Sequence, residues 1–136
     1  MNLVDIPVKT LDKPTGMASA LLVELHGHLN RLLSSGETHL IDLMSLPLSE
    51  ADINELADLL GVGEVKATIS SIGSSSIRET AYSGIWWVTH YGDDDKVLSE
   101  LIEVTLVPQI LVTHIDEVRH SAQMMANSLS GQENVN

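Results

Sequence analysis

The sequence predicts an α+β domain, an antiparallel sheet of three to four strands with about three helices packed mainly on one face. Three observations carry that expectation. Leucines recur at three- and four-residue steps between Met17 and Ser34, period-two alternation runs from Ile85 to Tyr91, and a second helical stripe follows Pro108. No internal repeat or low-complexity tract breaks the order.

At the start, Val4, Ile6 and Val8 alternate with Asp5, Pro7 and Lys9. Pro7 cannot donate to a ladder, so residues 1–14 are expected to be an N-terminal arm or edge strand. The stripe Leu21, Leu22, Leu25, Leu29, Leu32 and Leu33 then marks an amphipathic helix, with Gly36 as its stop. His39 to Leu43 suit a short strand. Ser49-Glu50-Ala51-Asp52 has the form of a capping box with Asp in place of Glu, opening a helix with the stripe Ile53, Leu56, Ala57 and Leu60 and a stop at Gly61. The acidic residues Glu50, Asp52, Glu55 and Asp58 sit early in that helix, toward the positive end of its dipole.

Alternation returns from Glu64 to Ser71, and Gly73-Ser74-Ser75-Ser76 has the composition of a loop before the next strand. Gly84, inside a strand-like run, predicts a bulge. Gly92-Asp93-Asp94-Asp95 predicts a turn, closing a hairpin between Ile85–Tyr91 and the β-rich run Lys96–Val107. With Tyr91 opposite Lys96, Trp87 pairs with Glu100 and Trp86 with Leu101. The two tryptophans then point to opposite faces, and Trp87 is read as the core anchor. The last helix carries Ile115, Val118, Ala122, Met125 and Leu129, with Thr113 as its expected N-cap. Residues 15–129 are thus expected to form a single domain, followed by a disordered tail, 130–136.

A chain of 136 residues can bury roughly two thirds of its unfolded surface without staples. Phe is absent, so the core must come from Leu, Ile, Val, Ala and Met, and the two tryptophans stand out against that background. Nineteen acidic against seven basic residues give a net charge of −12. Such a surface repels phosphate backbones and anionic lipid, which predicts neither nucleic acid nor membrane as a partner. The absence of cysteine excludes disulfides, thiolate-held zinc or iron–sulfur clusters, and cysteine nucleophiles. No basic leader with an apolar run begins the sequence, so a cytoplasmic protein is expected.

No Gly-x-Ser-x-Gly elbow occurs, and the Gly73 region lacks the lysine of a phosphate loop. His26 and His28 lie about 200° apart around a helix, and His114 and His120 about 240°. Spacing therefore predicts no metal site, and no cofactor is expected. Arg78 with Glu79, Glu100 and Glu103 could be acid–base machinery of a small-ligand-binding or catalytic domain, but an ion pair holding the sheet is the preferred reading. Trp86, His90 and Leu101 with Val97 form an aromatic and apolar patch suited to holding a protein partner or to being buried by a second copy in a homodimer, and Tyr82 is a further candidate contact.

Arg78-Glu79-Thr80, then Tyr82-Ser83-Gly84-Ile85-Trp86-Trp87-Val88-Thr89-His90-Tyr91, then Ile102-Glu103-Val104 and Pro108, resemble the C-terminal region of the HupH/HyaF family of hydrogenase expression proteins. The resemblance runs from about Ser49 to Val118. It implies a non-enzymatic accessory protein, an assembly chaperone of nickel–iron hydrogenase maturation. It further implies a partner: the precursor of the small, iron–sulfur-carrying subunit, or other maturation proteins. Members of that family are usually about twice as long, so this chain is expected to be one domain of the pattern, a shorter paralogue or a truncated form. A cysteine-free chain would protect or present the cluster-bearing subunit and hold no cluster on thiolates itself.

Overall fold

Because the leucine stripe recurs with helical period, Met17–Ser35 folds as helix α1, burying Ala18, Leu21, Leu25 and His28. Gly36 ends it in the left-handed region at φ 74°, its N–H donating to Leu32 O at 3.0 Å. Strand β1 (His39–Asp42) and a 3₁₀ turn (Leu43–Ser45) lead to helix α2, Glu50–Leu60. The capping box is present in full. Ser49 Oγ accepts from Asp52 N and the Asp52 carboxylate accepts from Ser49 N, both at 3.0 Å. This computed structural model describes residues 12–133, so most of the expected arm, 1–14, lies outside the described residues.

Strands β2 (Lys66–Ser71), β3 (Gly73–Glu79), β4 (Ile85–Tyr91) and β5 (Val97–Val104) complete a five-stranded antiparallel sheet in the order β1-β5-β4-β3-β2. The expected count of three to four strands is thus corrected to five. The serine run is strand, not loop: Ser74, Ser75 and Ser76 pair with Ser70, Ile69 and Thr68 on one side and with Tyr91, His90 and Thr89 on the other. Serine is a weak strand former, but a position ladder-bonded to two neighbours does not depend on local preference.

The β4–β5 register also differs from the expected one. Trp87 stands opposite Ile102 and Trp86 opposite Glu103, two residues beyond Glu100 and Leu101. A slip of two preserves the faces, whereas a slip of one would have exchanged them. The wider turn accounts for the slip: Gly92 N donates to Lys96 O at 2.8 Å, Asp95 takes φ 61°, and the ladder is irregular at His90/Tyr91. That irregularity, not Gly84, is the bulge. Gly84, at φ 96°, turns the corner that precedes β4.

α1 and α2 cover one sheet face. There Ile41, Ile85, Trp87, Ile102 and Val104 meet Leu21, Leu25, Leu56 and Leu60 in the main core. The opposite face holds a smaller cluster of Ile77, Trp86 and Val88, with Ala67, Ile69, Leu101 and Leu111 packed at its margin. Leu111 reaches it from a 3₁₀ turn, Gln109–Leu111.

Helix α3, Ile115–Glu133, is uncovered; every residue from 115 to 132 is exposed. It continues through Ser130–Glu133, where a disordered tail was expected; residues 134–136 lie outside the described residues. Thr113 is not the cap: Asp116 N donates to His114 Nδ1 at 3.1 Å. No helix among the described residues is long and apolar enough to cross a membrane.

Candidate functional site

The corner between β3 and β4 is built by the motif residues. Thr80, 1% exposed, donates its hydroxyl toward Ile85 O at 2.9 Å and Tyr82 O at 3.1 Å, and accepts from Tyr82 N at 3.2 Å. Gly84 leaves room for Leu29 of α1, whose Cδ2 would stand 3.3 Å from an added Cβ. Thr105 N donates to Gly84 O at 2.9 Å, tying the corner to the end of β5. These contacts determine how β4 enters the sheet and therefore where both tryptophans point.

Trp87 is 3% exposed in the main core. Its indole N–H donates to Glu100 Oε2 at 3.0 Å, and the Arg78 guanidinium lies 5.0 Å from its ring centroid. Arg78 therefore stacks on Trp87, and among the described residues it forms no ion pair. The four charged residues grouped by the sequence are split by strand alternation. Arg78 and Glu100 share the helix-covered face, whereas Glu79 and Glu103 project from the other, where Glu103 Oε2 accepts from Gln109 N at 3.1 Å. The expected sheet ion pair is replaced by a cation–indole–carboxylate arrangement around Trp87.

On the opposite face, Trp86 is 6% exposed and its indole N–H donates to Thr105 O at 3.2 Å. It is packed inside the smaller cluster and presents little of its own surface. Beside that cluster runs a groove of about 530 Å³ lined by Thr38, His39, Leu40, Val88, His90, Leu101, Glu103, Gln109 and Ile110. Two of the expected partner contacts, His90 and Leu101, line it, together with Glu103 from the charged group. His90 is held by a 2.7 Å hydrogen bond between its Nδ1 and Ser75 Oγ. Leu40 at 54% and Ile110 at 41% exposure add apolar surface at its rim. Tyr82 is half exposed in a different cleft, with Leu22, Leu25, His26, Leu29, Leu60 and Ile85. Leu40 and Ile110 were missed because each lies on a separate element whose pairing only the sheet order shows.

A second cluster was also missed. The ligand atoms of Glu24, His28 and His39 lie within 4.8 Å of one another. The two imidazoles stack, centroids 3.6 Å apart and planes 11° from parallel. An imidazole lone pair lies in its own ring plane, and two nearly parallel planes stacked this way do not meet at one ion. Arg31 Nη2 can only donate, so His28 Nδ1 accepts from it at 3.1 Å and Nε2 carries the proton, facing Glu24 Oε1 at 3.4 Å. The geometry is that of a stacked histidine pair whose His28 is hydrogen-bonded to Glu24 and Arg31. Burial first, then the neighbouring His28, pushes the His39 pKa below its ordinary 6.5. The Glu24–His28 spacing of four was legible on α1, but nothing in the sequence joined His39 to it.

Under the helix layer, Asp52 is fully buried. Thr15 N donates to its Oδ1 at 2.6 Å and Thr15 Oγ1 to its Oδ2 at 2.7 Å, fastening the segment before α1 to the start of α2. The backbone N–H of Thr15 is the main cause that holds its pKa down at about 2.

Fold and site define a two-layer α+β domain with one helix-covered sheet face and one open, groove-bearing face. The pattern described as the HupH hydrogenase expression protein, C-terminal conserved region, matches residues 16–131, and the chain belongs to that family. It is 32% identical over 118 residues to the hydrogenase expression/formation protein HoxQ of Azotobacter vinelandii, covering 82% of this chain and 41% of that one. To HupH of Rhodobacter capsulatus it is 30% identical over 105 residues, 77% of this chain and 38% of the relative. The chain thus spans about two fifths of the length of these relatives. The solved structure of the hydrogenase expression protein HupH from Thiobacillus denitrificans superposes with a TM-score of 0.83 at 34% identity, covering 88% of this chain and 99% of that one. The match reaches well beyond the Ser49–Val118 span of the sequence resemblance, taking in α1 and most of α3.

Proposed function

We propose that this chain is an accessory module of hydrogenase maturation that works by holding another protein, without catalysis. Its partner is the precursor of the iron–sulfur-carrying small subunit, bound in the cytoplasm before assembly. The groove on the open sheet face carries this reading, together with the hydrogenase expression and formation proteins among its relatives. His90 and Leu101 line the contact, with Leu40 and Ile110 at the rim. Trp86 and Val88 shape it from within the cluster.

Apolar rims with a few polar groups suit a protein partner, because desolvated side chains at the centre of a contact carry most of its energy. The net charge of −12 favours a neutral or basic segment on the other side. The opposed placement of Arg78 and Glu100 against Glu79 and Glu103 gives the rival ligand-binding or catalytic reading no converging set of charges.

Co-purification with the small-subunit precursor tests the proposal. Leu101→Asp and Leu40→Asp should each weaken capture at least tenfold while the far-ultraviolet circular dichroism stays native. Unchanged capture by both folded variants removes the groove. No complex with the wild-type chain removes the partner. Trp86→Ala is a poor probe, since truncating a buried tryptophan costs about 3–5 kcal/mol in stability.

A further inference from the structure

Among the described residues, helix α3 is the longest element exposed along its whole length. Its 19 residues include Gly131, Asn127 and several serines, all weak helix formers, and every position from 115 to 132 is exposed among the described residues. An isolated helix of that length and composition is marginal in water, so its persistence calls for a cover. The apolar positions identify the kind of cover. Ile115, Val118, Ala122, Met125 and Leu129 follow alternating steps of three and four, the narrow a/d seam of helix-on-helix pairing and not the broader stripe that packs on a sheet. Val118, Met125 and Leu129 are 48%, 67% and 55% exposed.

We infer that α3 pairs with α3 of a second copy in an antiparallel two-helix seam. The flanking positions are Arg119, Ser121, Ala126 and Ser128, so the chain's excess carboxylates do not meet across it. Asp116 and Glu117 point away from the seam. A parallel pair would set two acidic first turns and two positive helix ends side by side; an antiparallel pair separates them. An antiparallel seam sets each a position against a d position, so Ala122 faces Met125 of the second copy and Val118 faces its Leu129, small against large, about a twofold axis that passes between the two central layers. Antiparallel pairing further keeps the two domain bodies at opposite ends of the helices. A seam about 28 Å long buries well under the ~1,200 Å² of a standard stable interface. The dimer is therefore weak and depends on concentration.

Sedimentation equilibrium of the chain from micromolar to millimolar concentration should show the mass rising toward twice the monomer. The double variant Val118→Glu with Met125→Glu should stay monomeric throughout, with its β-sheet circular dichroism intact, since the helix lies outside both cores. The chain has no cysteine, so the facing pair Val118→Cys with Leu129→Cys supplies a clean second reading. Oxidation should link it to a covalent dimer, while Asn127→Cys, on the far side of the helix, should not link. A wild-type chain that remains monomeric at millimolar concentration overturns the inference. A dimer that survives the double variant, or that crosslinks through Asn127→Cys in preference to the facing pair, also overturns it.

Discussion

The indole N–H of Trp87 donates to Glu100 Oε2 at 3.0 Å, although the residue opposite Trp87 in the ladder is Ile102. The contact is diagonal across the hairpin. It lets one long side chain satisfy a donor buried at the edge of the main core, while Arg78 covers the ring from the neighbouring strand.

Removing the acceptor should therefore cost more than removing its charge. Glu100→Ala leaves the indole donor unpaired and is expected to lower stability by about 1–3 kcal/mol. Glu100→Gln keeps an oxygen in place and should lose less than half as much. Urea denaturation of the three proteins measures this, and equal losses from the two variants would show that the bond is not what matters. Arg78→Met should cost about 0.5–1 kcal/mol through the ring contact.

Gly84→Ala should be destabilising by about 1–2 kcal/mol, because a side chain is disfavoured at φ 96° and the new Cβ presses on Leu29. Denaturant midpoints against wild type provide the measurement. Gly36, also at positive φ but with nothing within 4 Å, serves as the control for φ alone.

Asp52 makes the fold sensitive to strong acid. Its carboxyl is held at about 2, below its ordinary 3.8, so the folded state binds a proton less readily than the unfolded chain. Its contribution is fully present above pH 3.8 and is lost as pH falls toward 2. Melting temperature followed from pH 5 to pH 2 should drop, and Asp52→Asn should flatten that part of the curve while lowering its upper end. Ser49→Ala, which removes the other half of the cap, is expected to cost about 1 kcal/mol at neutral pH.

His39 acts in a higher range. The folded-state pKa of His39 lies below 6.5, so the unfolded chain takes up its proton first as pH falls. Stability from this group is complete above 6.5 and declines below it. His39→Gln should remove that decline. A melting temperature that changes equally in both proteins between pH 8 and pH 5.5 would assign the effect elsewhere.

The leucine stripe, the capping box at Ser49 and Asp52, and the alternation of β4 were all legible because each depends on neighbours within one turn or one hairpin. The same alternation separated Trp86 from Trp87 correctly even though the register was wrong, since a slip of two residues leaves each side chain on its own face. The serine strand was not legible. Ser74–Ser76 carry no strand preference of their own, and only partners on both sides make them a ladder. For the candidate site, His90 and Leu101 could be named from the hairpin, but Leu40 and Ile110 reach the groove from β1 and the turn after β5.

What the sequence determined by itself was therefore the set of local elements, their faces and the family motif, all consequences of short-range periodicity and residue chemistry. Tertiary structure alone decided that Trp86 is buried while its neighbours line the groove, that Arg78 stacks on Trp87, that His39 meets His28, and that α3 stands uncovered. Each of these depends on contacts between residues distant in the chain, and strand order and packing, not local preference, bring such residues together.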